Sequence, residues 1–149
     1  AIYKTIIPWA ARSAKIITCL SGNTVREVEK HLGISKDKCV ITESGHEHIL
    51  RFESDDSVLS EHSLDKGKYL LAVSSLNPNK NFAAILRAMK LAKVDNKLII
   101  AGGTNPRIFR DQGLEKMPDN AVYVGRVSDE RLRSLYENAL GFVYPSFYE

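Results

Sequence analysis

Two cysteines, one tryptophan and no apolar run approaching the ~18 residues of a membrane span are what this 149-residue chain has in short supply. Cys19 and Cys39 each fall inside a predicted strand, which suits two buried, reduced thiols in a cytosolic compartment better than a disulfide framework or a metal site. The opening residues, AIYKTIIPWAARSAK, lack the order of a signal peptide and carry no initiating Met, so they read as a start in mid-protein. No stretch of like charge reaches the roughly five or six residues of a basic arm. With 21 Lys plus Arg against 18 Asp plus Glu, the net charge of +3 leaves at best a weak preference for small anions and argues against nucleic acid. There is no G-x-G-x-x-G dinucleotide fingerprint and no G-x-S-x-G nucleophile elbow. His46 and His48 stand beside Glu43 and Glu47, but two imidazoles with no cysteine near them do not make a zinc site, so linker histidines are the better reading.

What the chain does have is 44% apolar residues spread along its length, enough for one globular domain with a core. Strands are predicted at 15–19, 39–42, 69–74, 97–101, 121–124 and 140–144, and helices fall between most of them. Ser21 caps one whose apolar face is Val25, Val28 and Leu32 and whose stop is Gly33. A second covers 81–92 with Phe82, Ile85, Leu86 and Met89 at i, i+3, i+4, i+7, and a third begins near Thr104 with Pro106 in its first turn. A fourth follows Ser128, with Asp129 and Glu130 at its amino end and Leu132, Leu135, Tyr136 and Ala139 as the buried stripe. This alternation predicts an α/β fold: a Rossmann-like parallel sheet with helices on both faces. The polar stretch 44–66 interrupts the rhythm. We read residues 1–43 as the end of one domain, 44–66 as an interdomain linker and 67–149 as the first part of a second domain.

Chemistry is expected where strands run into turns. In Ser75-Leu76-Asn77-Pro78-Asn79-Lys80-Asn81 a strand passes into a helix, leaving backbone N–H groups and the positive helix end beside the Lys80 ammonium. On these grounds alone it is either an anion site or a solvated turn. Gly102 and Gly103 end another strand, where they allow a tight turn or a close approach to a ligand. Arg126, after Gly125 and before Val127, is either a surface cation or a group that stacks on or pairs with a nucleotide.

Taken in order, these segments resemble the family 4 retaining glycosyltransferases of the GT-B fold. Residues 72–81 (AVSSLNPNKN) match the family's V-G-R-L-x-x-x-K-G/N in register, with Lys80 in the Lys place and Ser75 where Arg is expected. LIIAGG resembles L-x-I-x-G-x-G, VYVGRVSDERL resembles V-x-F-x-G-x-V-x-x-x-x-L, and the closing YPSFYE resembles the start of P-S-x-x-E-G-F-G-x-x-x-x-E. Further forward, AKIITCLS looks like the family's A-x-x-I-x-x-S, and KCVITESG looks like K-x-x-V-I-x-N-G with Ser44 in place of Asn. The resemblance implies a donor diphosphate held by Lys80, Ser75 and Asn81, and a base or ribose against Gly102, Gly103, Gly125, Arg126 and Val127. It assigns Glu149 to the transferred sugar as the catalytic-site carboxylate. It implies a hexosyltransferase that uses a nucleotide sugar as donor and a saccharide or lipid-linked acceptor, with retention and with no cofactor or metal. A mannosyl- or rhamnosyltransferase of polysaccharide biosynthesis fits that usage, cytoplasmic and resting on the inner membrane face, with no required protein partner. At this length the chain is too short for a complete two-domain transferase and is expected to be inactive by itself. The rival reading is a non-catalytic Rossmann-like nucleotide- or protein-binding module, and a nicotinamide dehydrogenase is disfavoured by the missing glycine fingerprint.

Overall fold

Ser21 and Gly33 bracket a helix as their spacing predicts, and the rest of the first forty-odd residues is arranged around it. A computed structural model describes residues 2–75, 78–92, 94–103 and 117–147. The chain divides into two units, Ala1–His46 and Glu47–Glu149. In the first, α1 (Ile2–Ser13) leads to β1 (Ile17–Cys19), α2 (Gly22–Leu32), a 3-10 turn at Lys36–Lys38 and β2 (Cys39–Ile41). The Ser21 hydroxyl accepts from the Thr24 N–H, and Gly33, at φ 64°, donates its N–H to the Glu29 carbonyl, so both ends of α2 are satisfied within a few residues. The two strands are parallel, with Ile17 opposite Cys39. Cys19 is buried and Cys39 half-buried, both as free thiols. Helix α1 was not legible in the sequence. It carries Pro8 in its interior and a run of β-branched residues, both poor helix signals. Its last carbonyls, of Ala11 and Arg12, accept from the Lys38 ammonium at 3.3 and 2.7 Å.

The second unit is a parallel sheet of four strands in the order β5-β4-β3-β6, built from β3 (Tyr69–Val73), β4 (Lys97–Ala101), β5 (Ala121–Gly125) and β6 (Gly141–Phe142). Successive side chains of a strand point to opposite faces, so β3, β4 and β5 each feed two cores. On one face Ala72, Leu98, Ile100 and Ala121 pack against Phe82, Ile85, Leu86 and Met89 of α4 (Phe82–Ala92), the four helix positions that the i, i+3, i+4, i+7 spacing selects. On the other, Leu71, Ile99 and Ala101 meet Val58 and Leu59 of α3 (Ser57–Glu61) and Leu135 of α5 (Asp129–Asn138). Tyr69 is buried there, and its hydroxyl donates to the Leu135 carbonyl at 2.8 Å. Burial pushes its pKa up to about 12. The α/β fold is therefore the expected one, with helices on both faces of a parallel sheet.

Two expectations need adjustment. The stretch from Glu47 to Lys66, read as linker, is built into the second unit: Val58, Leu59 and Leu64 are buried, and the backbone is tied to α5. Arg133 donates to the carbonyls of Leu50 and Phe52, Arg131 pairs with Asp55 and Glu61, and Asp56 accepts from Ser134 at 2.6 Å and from Lys66 at 2.7 Å. Three apolar residues suffice because the polar ones around them have partners across the gap. Tyr136, placed in the buried stripe of α5, is instead 40% exposed beside Phe142. The helix expected to begin near Thr104 lies outside the described residues.

Candidate functional site

All four β-strands of the second unit run parallel, so their carboxyl ends share one edge, the edge where open α/β sheets bind ligands. At the end of β3 the chain passes through Ser74 and the exposed Ser75 to a 3-10 turn, Pro78–Lys80, and then Asn81, which takes φ 54° before α4 begins. Asn is among the few residues that tolerate this left-handed conformation. Its side-chain amide donates to the Pro145 carbonyl at 3.2 Å. The Lys80 ammonium donates to the Tyr144 hydroxyl at 2.8 Å, and the Phe147 N–H donates to the Asn79 carbonyl at 3.0 Å. The loop after β3 is thus joined to the segment after β6.

The glycines of the neighbouring strand have separate reasons for being glycine. Gly102, at φ 139°, lies so close to β3 that a Cβ there would stand 2.0 Å from the Ser74 carbonyl oxygen. Its N–H donates to Gly125 and its carbonyl accepts from the Tyr123 hydroxyl at 2.7 Å, so the ends of β3, β4 and β5 close on one point. Gly125 takes φ 72° with open space where a side chain would be, at a register shift in the β4–β5 ladder. Its need is conformational, whereas Gly102 has no room. The exposed Arg126 turns back over β4, its Nε 3.7 Å from where a Cβ of Gly103 would lie.

Of the residues singled out from the sequence, Ser75, Lys80, Asn81, Gly102, Gly103, Gly125 and Arg126 all lie at this edge. Val127 is there by its backbone, but its side chain is partly buried against the core that contains Leu71, Ile99 and Leu135. Glu149 lies outside the described residues. Sequence reasoning missed Tyr144 and Tyr123, whose hydroxyls reach Lys80 and the Gly102 carbonyl. Both sit in strand-like runs where an aromatic is ordinarily core, and only the tyrosine hydroxyl marks them as different from Phe. Around Tyr144 the aromatics form a chain: Phe142 stacks on it with centroids 5.7 Å apart and meets Tyr136 at 5.5 Å. Burial, then the neighbouring Tyr144, raise the Tyr136 phenol above its ordinary pKa. The Ser146 hydroxyl in the same segment is buried without a partner among the described residues.

Electrostatically the edge offers Lys80 on the β3 side, just before the start of α4, and Arg126 on the β5 side. This suits an anionic ligand spread over two strands. Among the described residues no three His, Cys, Asp or Glu side chains gather as a metal site, and no helix is long and apolar enough to cross a membrane.

The sequence profile of the family described as glycosyl transferases group 1 matches residues 55–149. The O-antigen chain mannosyltransferase B of Escherichia coli is 30% identical over 150 residues, covering 92% of this chain and 39% of that protein. Among solved structures, sucrose-phosphate synthase from Thermosynechococcus elongatus superposes with a TM-score of 0.71 at 16% identity, over 97% of this chain and 38% of that one. HepE from Anabaena, solved in complex with UDP and glucose, gives 0.71 at 15% identity, over 96% of this chain and 41% of that one. At such identities the superpositions speak for the fold alone. The chain spans about two fifths of the length of the mannosyltransferase it matches. The family match begins at Asp55, just before α3, and runs through every turn of the strand-end cluster, and on that ground the chain belongs to the glycosyl transferases group 1 family.

Proposed function

We propose that this chain forms part of a retaining, metal-independent glycosyltransferase of family 4 and GT-B type, and that its second unit binds the nucleotide-sugar donor. The observation that carries the reading is the convergence of Lys80, Asn81, the Gly102–Gly103 turn and Arg126 on the carboxyl edge of one parallel sheet. A departing nucleoside diphosphate develops negative charge as the glycosidic bond to it breaks. Fixed donors placed where that charge appears lower the barrier without having to reorganise, commonly the largest catalytic term. Lys80 supplies a full charge there, with Ser75 and Asn81 beside it, and the Gly125-Arg126-Val127 backbone offers amides and a carbonyl to the base or ribose. Glu149 is assigned to the transferred sugar. Because Ser75 brings no charge, the diphosphate leans on Lys80 more heavily than in a relative with Arg at that place.

The reading extends to hexosyl transfer onto a saccharide or lipid-linked acceptor in polysaccharide biosynthesis. The 30% identity to an O-antigen chain mannosyltransferase supports a mannosyl donor. No cofactor is required in this scheme, and the reaction belongs on the cytoplasmic side, at the inner membrane face if the acceptor is lipid-linked.

The test is a thermal-shift titration of the full-length protein with GDP, UDP, dTDP and NAD. A ligand bound only by the native state raises Tm by mass action, by about 2.7 kcal/mol of stabilisation at one hundred times its Kd. We expect one nucleoside diphosphate to raise Tm and Lys80→Ala to abolish most of the rise. No response to any diphosphate, or a response to NAD alone, overturns the reading.

A further inference from the structure

The function above gives Lys80 a role and leaves Tyr144 without one. A lysine on a flexible four-carbon stem is a poor fixed charge unless something holds its head in place. Here the Lys80 nitrogen is 2.8 Å from the Tyr144 hydroxyl oxygen and 5.1 Å from the ring centroid, so of the two parts of the tyrosine it is the hydroxyl, not the ring face, that lies close to the ammonium. The tyrosine is itself placed from below, its ring stacked on Phe142 of β6. Two further bonds, Asn81 to the Pro145 carbonyl and the Phe147 N–H to the Asn79 carbonyl, hold the same two backbone segments together on either side of the Lys80–Tyr144 pair. They fix where the hydroxyl stands relative to the lysine stem. A phenol that accepts from an ammonium leaves the positive charge in place and takes up only one of its N–H donors.

We propose that Tyr144 is a positioning residue: it orients the Lys80 ammonium towards the diphosphate and ties the loop after β3 to the segment after β6. This rests on the nucleotide-sugar reading of the edge. The ring supplies packing and the hydroxyl supplies orientation, so the two are separable by Tyr144→Phe.

The experiment measures binding of GDP, UDP and dTDP, and of guanosine, uridine and thymidine, to the full-length protein by calorimetry. The forms compared are wild type, Tyr144→Phe, Lys80→Ala and the double variant. For the diphosphate that binds wild type, Tyr144→Phe is expected to weaken affinity about tenfold, the scale of a lost hydrogen bond to a charged group. Affinity for the matching nucleoside, which has no phosphate to meet Lys80, should stay unchanged. In the Lys80→Ala background Tyr144→Phe should cost nothing more, because the group it positions is gone. Unchanged diphosphate affinity in Tyr144→Phe, while Lys80→Ala binds weakly, overturns the positioning role and leaves the donor-site reading standing. An equal loss with and without Lys80, or a parallel loss of nucleoside affinity, overturns it as well by showing a merely structural role. Wild type that binds no diphosphate overturns both proposals.

Discussion

Gly102 and Gly125 look alike in the sequence, each closing a strand, yet they answer to different forces. At Gly102 an added methyl would meet a backbone carbonyl, which cannot rotate away as a side chain would, and φ is also positive. At Gly125 only the left-handed backbone objects. Gly125→Ala should therefore cost about 1–2 kcal/mol, the ordinary penalty of that conformation for a residue with a Cβ. Gly102→Ala should cost roughly 3–4 kcal/mol, because the ends of β3 and β4 must separate to admit it. Urea midpoints of the two variants measure the difference, and equal losses would mean that the Ser74 contact yields easily. The glycine pair at 102–103 was legible as a turn from its place after an apolar strand. Which of its members is sterically obligatory was not, since that depends on a strand about thirty residues away.

Caps and stripes made most of the regular elements legible. Ser21, Gly33 and Ser128 each act within three or four residues of themselves, and α4 announces its buried face by spacing alone. The strap from Glu47 to Lys66 escaped for the opposite reason: apart from the Lys66–Asp56 pair within it, its hold on α5 is made of pairs between residues 70 to 83 positions apart. Asp56 is the centre of that hold. The Lys66 ammonium, then the Ser134 hydroxyl, hold its carboxyl below the usual aspartate pKa. A carboxylate whose folded pKa is depressed adds stability that is present above its unfolded pKa and is lost as pH falls through the folded value. Asp56→Asn should accordingly be less stable than wild type at neutral pH, with the gap closing below about pH 4. Chemical denaturation across that range decides the matter, and a gap that persists at low pH would assign the loss to packing of the amide rather than to charge.

Across the whole chain, the alternation of strands and helices made the fold class readable, because it depends only on local pattern. The division at His46 and Glu47 falls inside the stretch 44–66 expected to hold it; that the rest of that stretch packs with the second unit was not legible, because that depends on which polar residues find partners. The two units meet in sequence at His46 and Glu47, and the stretch 42–46 is exposed and without regular structure. Chain of that kind is where proteases enter, since cleavage needs an extended, unencumbered backbone. A Glu-specific protease distinguishes the two boundaries. Glu43 lies in the free stretch and Glu47 at its edge, whereas Glu53 is equally polar and exposed but sits between Phe52, whose carbonyl accepts from Arg133, and Asp55, whose N–H donates to the Glu130 carbonyl. Brief digestion should cut after Glu43 and Glu47 well before Glu53, leaving a resistant product that begins with the strap. Arg133→Ala, which frees the Leu50 and Phe52 carbonyls, should make Glu53 as fast a site as Glu43. Mass spectrometry of the early products reads the order. Simultaneous cutting at all three sites in the unaltered protein would mean that 44–66 behaves as the open linker its composition suggests, and that the bonds to α5 do not hold it in solution.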